Sequence, residues 1–207
     1  MKLLLGLLLA GLGMGEPMRL PAIAEPAARI TIRLADFAEV PDKTLSQAEG
    51  IAENVLDQAG IAITWQRCPG RPECRLEPAG AEFRLLVLNL RPLRRHGDTT
   101  GFAMILAPRE DGERYAGVFF PMVQEAARNL DGDEALLLGA TMAHEIGHLL
   151  LGSKAHARSG IMCPHFGHEH IRLAARGELR FTAEQAGSMR VEVMRRVRAV
   201  QLQPNYD

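Results

Sequence analysis

Leu136 to Leu151 is an almost wholly apolar run, and Thr141, His144, Glu145 and His148 are the polar side chains that interrupt it. Three of them belong to His144-Glu145-Ile146-Gly147-His148, an H-E-x-x-H pattern. On a helix, positions i and i+4 project from one face, close enough for two imidazoles to share one ion. The pattern therefore demands a helix, and the four polar residues then align as one stripe. Burying two imidazoles and a carboxylate without partners costs on the order of several kcal/mol. A zinc ion held by the histidines, with a water near the glutamate, removes that cost.

The chain has 207 residues, 47% hydrophobic and 24% charged, which suits one globular domain with a core large enough to stand alone. Its 24 basic and 25 acidic residues give a net charge of -1. No global excess exists to hold a phosphate backbone or an anionic membrane, so nucleic acid is not an expected partner.

The N-terminus runs from Met1-Lys2 into Leu3 to Leu12 with only Gly and Ala interleaved. That stretch is too short for a bilayer, which needs about 20 residues, and has the form of a signal h-region. Small-x-small cleavage sites follow Gly15 and Ala24, and residues 1–24 are read as the signal peptide. The mature protein, 25–207, is expected to be secreted or periplasmic, free of the membrane once cleaved, and monomeric. In an oxidising compartment Cys68 and Cys74 would close a local disulfide around a turn-rich loop, leaving Cys163 over.

Residues 29–34 alternate as a half-buried strand does, and 44–59 carry apolar residues at helical spacing with Gly60 after them. Strands are predicted at 61–65, 82–88, 101–106 and 115–120. Asp131 and Glu134 have capping-box spacing at the start of the long helix, which ends at Gly152. A loop of about thirty residues and a helix opening at Thr182 complete the predicted order.

A catalytic zinc takes three protein ligands and keeps one open position. His156, eight residues past His148 and beyond Gly152, is the candidate third ligand. The stretch from His144 through Gly152 to His156, then Gly160-Ile161-Met162, resembles the metzincin clan, with its H-E-x-x-H-x-x-G-x-x-H motif and methionine turn. One extra residue stands before the glycine and one after it. His165, His168, His170, Glu169 and Glu178 stay open as alternative ligands.

The resemblance implies an α+β, metzincin-like fold: a mixed twisted sheet of about four to five strands, an active-site helix, a Met-turn and a C-terminal helix. It implies one zinc ion held by His144, His148 and His156, Glu145 as catalytic base, and Met162 as the turn methionine. It further implies a peptide or protein substrate paired along the edge segment Gly101-Phe102-Ala103. Two other readings keep the same site: a zinc-binding exported module that cuts nothing, and a zinc amidase acting on cell wall. Glu145 favours catalysis, because structural zinc is usually closed by four protein ligands and needs no adjacent carboxylate.

Overall fold

The computed structural model describes residues 28–68, 79–92, 100–104, 115–152 and 155–202. The expected signal segment and Cys74 lie outside the described residues. The elements, in chain order, are β1 (Ala28–Asp36), α1 (Asp42–Asp57), β2 (Ile61–Arg67), β3 (Glu82–Leu88), β4 (Gly101–Met104), β5 (Tyr115–Phe119), α2 (Phe120–Asn129), α3 (Glu134–Leu151), α4 (His168–Ala175) and α5 (Ala183–Gln201).

The period-two pattern of β1 buries Ile30, Ile32 and Leu34, and β1 pairs in parallel with β2 on one side and β3 on the other. Parallel neighbours need a crossover, and α1 supplies it between β1 and β2. The sheet order is β2-β1-β3-β5-β4. Only β4 runs antiparallel, paired to β5, so the sheet is mixed as expected but largely parallel. That gives the chain more α/β character than the α+β expectation.

Helix α1 buries Leu45, Ala48, Ala52, Val55 and Leu56. It packs on α3 so closely that a Cβ on Gly139 would stand 2.6 Å from the Ala48 carbonyl oxygen and 2.7 Å from Ile51 Cβ. Arg67, at the end of β2, ties the sheet to α1 through Glu49, Ser46 and Asp42. Glu49 and Asp42 hold the Arg67 guanidinium charged by raising its already high pKa, against the opposing effect of burial. Cys68 is disulfide-bonded and Cys163 is free.

Three expectations need correction. Phe120 starts a helix rather than ending a strand: Pro121 sits in the first turn of α2, where a missing N–H costs nothing. Asp133, not Asp131, caps α3, accepting from Leu136 N–H at 2.8 Å. Asp131 instead takes a positive φ of 49° in the preceding turn. The expected long loop contains α4, stiffened at its start by the Gly167 N–H donating to His170 Nδ1 at 3.2 Å. The expected β4 extends past Met104 to residues outside those described.

Candidate metal centre

Almost every residue of α3 from Ala135 to Leu150 is buried, including Thr141, His144, Glu145 and His148. The helix runs through the core because its sequence is apolar on all sides, and its polar stripe is carried inside with it. His144 Nδ1 lies 2.7 Å from the Ile161 carbonyl oxygen, and His148 Nδ1 lies 3.1 Å from that of Gly152. A carbonyl oxygen can only accept, so each Nδ1 carries the proton and each Nε2 presents a lone pair.

Those lone pairs converge. His148 Nε2 stands 3.0 Å from His144 Nε2 and 3.1 Å from His156 Nε2, and all three atoms lie within 4.8 Å of one another. Burial pushes the His144 imidazole down to about 4, against the opposing Ile161 hydrogen bond and with smaller contributions from His148 and His156. Burial likewise lowers His148, again opposed by its carbonyl partner, Gly152. At neutral pH the two helix histidines are therefore uncharged, with their ligating nitrogens available.

The chain leaves α3 through Gly152, whose N–H still donates to the His148 carbonyl at 2.9 Å. Its φ of 91° with ψ of 162° is extended backbone of the mirror hand, reachable in practice only by glycine. His156, four positions beyond Gly152, completes the cluster from an exposed position.

The Gly160-Ile161-Met162 turn closes the site from below. Ile161 and Met162 are fully buried. A Cβ on Gly147, between the two helix histidines, would stand 2.5 Å from Met162 Sδ and 2.8 Å from the Phe181 ring. Gly160 has φ +78°, and a Cβ there would meet the Arg180 carbonyl oxygen at 2.5 Å. The Ile161 N–H donates to that same carbonyl at 3.0 Å. The Phe166 ring, which the sequence reading passed over between its flanking histidines, meets His144 edge-on with centroids 5.9 Å apart.

None of the alternative ligands joins the cluster among the described residues. His170 is engaged with the Gly167 N–H. Glu169 pairs with Arg172, which holds its carboxyl below the usual range, and Glu178 pairs with Arg176 at 3.2 Å. β4, with Gly101, Phe102 and Ala103, occupies the end of the sheet, its antiparallel partner β5 on one side.

The fold is similar to that of archaemetzincin. The crystal structure of archaemetzincin from Methanopyrus kandleri superposes with a TM-score of 0.51 at 17% identity, covering 83% of this chain and 99% of that one. No family model and no curated protein matches the chain. The likeness to archaemetzincin is one of fold.

The three histidines fit zinc on their own chemistry. Zinc–imidazole bonds of about 2.0–2.1 Å set tetrahedral ligand nitrogens about 3.4 Å apart. The 3.0 and 3.1 Å separations lie a few tenths of an ångström inside that spacing. Ring nitrogens this close suit a shared cation, and three imidazole ligands leave the fourth tetrahedral position open.

Proposed function

We propose that this chain is an exported zinc-dependent endopeptidase, its ion held by Nε2 of His144, His148 and His156. The observation that carries the reading is the convergence of those three nitrogens, with Nδ1 of both helix histidines already bound to carbonyls, on the buried helix that also bears Glu145. The archaemetzincin-like fold supports it. Export rests on the N-terminal h-region, and residues 25–207 form the single mature catalytic domain.

Zinc, when bound, polarises a substrate carbonyl and makes water a usable nucleophile near neutral pH. Glu145 follows the first ligand directly on α3 and takes the proton from the attacking water, then returns it to the leaving amine. The Ile161 and Gly152 carbonyls fix the tautomer and ring orientation of His144 and His148. Met162 packs its sulfur against Gly147, the α3 residue just before His148. β4, last in the sheet order, offers backbone groups to an extended peptide at Gly101, Phe102 and Ala103, by strand addition.

The test pairs metal content with cleavage of casein and a peptide library. The mature protein carries one zinc and cleaves. Glu145→Gln keeps the zinc and loses cleavage by about 10²–10⁴-fold, the usual contribution of a general base. Zinc without cleavage of any peptide would refute the peptidase reading.

A further inference from the structure

His156 differs from its two partners. His144 and His148 are aimed by carbonyls at Nδ1, whereas His156 is held through the peptide groups on either side of it. On one side the Ala157 N–H donates to the Met162 carbonyl at 2.8 Å. On the other, the Ala155 carbonyl accepts from Gln185 Nε2 at 3.5 Å. The Gln185 side chain spans two jobs, because its Oε1 accepts from the Thr182 N–H at 3.0 Å while Thr182 Oγ1 accepts from the Gln185 N–H at 3.2 Å. That reciprocal pair fixes the amide, so Nε2 is aimed at Ala155 by the capping box of α5. Gln185, Ala155, Ala157 and His156 line one groove of about 860 Å³ between the end of α3 and the start of α5.

We propose that Gln185 is a positioning residue for the third metal ligand, locking the His156 segment to the N-terminus of α5 through the Ala155 carbonyl. The inference rests on the zinc reading given above. Past Gly152 the Ala155 N–H turns back to the Gly152 carbonyl at 3.2 Å, and the contacts made by the Ala155 carbonyl and the Ala157 N–H then hold the two peptide groups that flank His156. The Ala157 clamp belongs to the methionine turn, and that turn is itself anchored at the Arg180 carbonyl, two residues before Thr182. The start of α5 thus holds His156 from both flanks.

Two substitutions separate this role from plain helix capping. Gln185→Glu retains an oxygen to accept the Thr182 N–H and adds a negative charge where a helix N-terminus favours one, so α5 keeps its cap. It places an acceptor against the Ala155 carbonyl and releases the clamp. Gln185→Lys keeps a donor for Ala155 and forfeits the cap. Zinc affinity of the full mature chain is measured by competition with a chromophoric chelator, and thermal melts are recorded for the metal-free proteins. Loss of a partner bonded to the ligand itself typically weakens metal binding 10–100-fold; Gln185 acts one peptide further out, so Gln185→Glu binds zinc about tenfold more weakly than wild type, the low end of that range. Its metal-free melting temperature is unchanged or raised. Gln185→Lys stays within about threefold of wild type in affinity while melting lower, since its loss falls on the cap. Wild-type affinity in Gln185→Glu, or an equal loss in both variants, would overturn the proposal. Wild-type protein that binds zinc tightly but cleaves nothing would remove the peptidase reading and leave this inference standing; no zinc binding by the wild type would remove both.

Discussion

The carbonyl oxygen of Ile161 lies 2.7 Å from Nδ1 of His144, seventeen residues earlier in the chain. One peptide unit of the methionine turn therefore decides which nitrogen of the first ligand faces the cluster. The same peptide's neighbour, Ile161 N–H, is bound to the Arg180 carbonyl, so the orientation of His144 is referred back to the segment that opens α5.

Gly160 makes that arrangement possible. A side chain there meets both a φ of +78° and the Arg180 carbonyl oxygen at 2.5 Å. Gly160→Ala is expected to destabilise the protein by about 1–3 kcal/mol and to weaken zinc binding, because the Ile161 carbonyl moves with the turn. Chemical denaturation and a zinc titration of the same variant check both; normal stability with normal affinity would show that the turn is not tightly placed.

Gly147 is constrained by packing rather than by backbone. Gly147→Ala forces a methyl to within 2.5 Å of Met162 Sδ and 2.8 Å of Phe181, an overpacking that costs about 1–3 kcal/mol. Met162→Leu, nearly equal in volume, should cost less than about 1.5 kcal/mol. Denaturant midpoints that rank the two variants in the opposite order would contradict the contact.

Gly139 plays the corresponding role where α1 crosses α3. Its Cβ would stand 2.6 Å from the Ala48 carbonyl oxygen, which is backbone and cannot swing away. Gly139→Ala is therefore expected to lose about 1–3 kcal/mol despite alanine's better helix propensity. A gain in melting temperature would mean that the helices are further apart than described.

Acid should loosen the metal-free protein. Burial holds His144 down at about 4 and also lowers His148, whereas both titrate near 6.5 in the unfolded chain. Between those limits the unfolded state binds more protons, so stability rises with pH. The contribution is complete above about 6.5 and is lost as pH falls toward about 4, a loss on the order of 3 kcal/mol from His144. Urea midpoints of metal-stripped protein should fall across that window; a midpoint constant down to about pH 4 would show the imidazoles to be solvated.

The helix and its stripe were legible because H-E-x-x-H in an apolar run has few other structural uses. The capping box at Thr182 and Gln185 was legible from its spacing, and β1 and β3 from their periods. The α3 cap falls two positions beyond the one its spacing suggests, because Asp131 and Asp133 both precede the helix and the turn gives Asp131 a positive φ while leaving Asp133 to accept the Leu136 N–H. The start of α2 has no clear sequence signal, because Phe120 and Pro121 follow a β-rich stretch without a break in hydrophobicity. The Arg180 carbonyl's hold on the turn and the reach of Gln185 to Ala155 leave no mark in the sequence, since each contact is made with a peptide group brought there by the tertiary fold. His156 was placed by analogy to a motif shifted by one residue on each side of its glycine, and the structure brings it to the same two histidines.

X-ray absorption at the zinc edge of the mature, zinc-loaded protein tests the central claim most directly. Three imidazole nitrogens at about 2.0–2.1 Å with one further light-atom ligand are predicted, and His156→Ala should remove one imidazole from the fit. A sulfur ligand at about 2.3 Å, or an imidazole count unchanged in His156→Ala, would contradict the site.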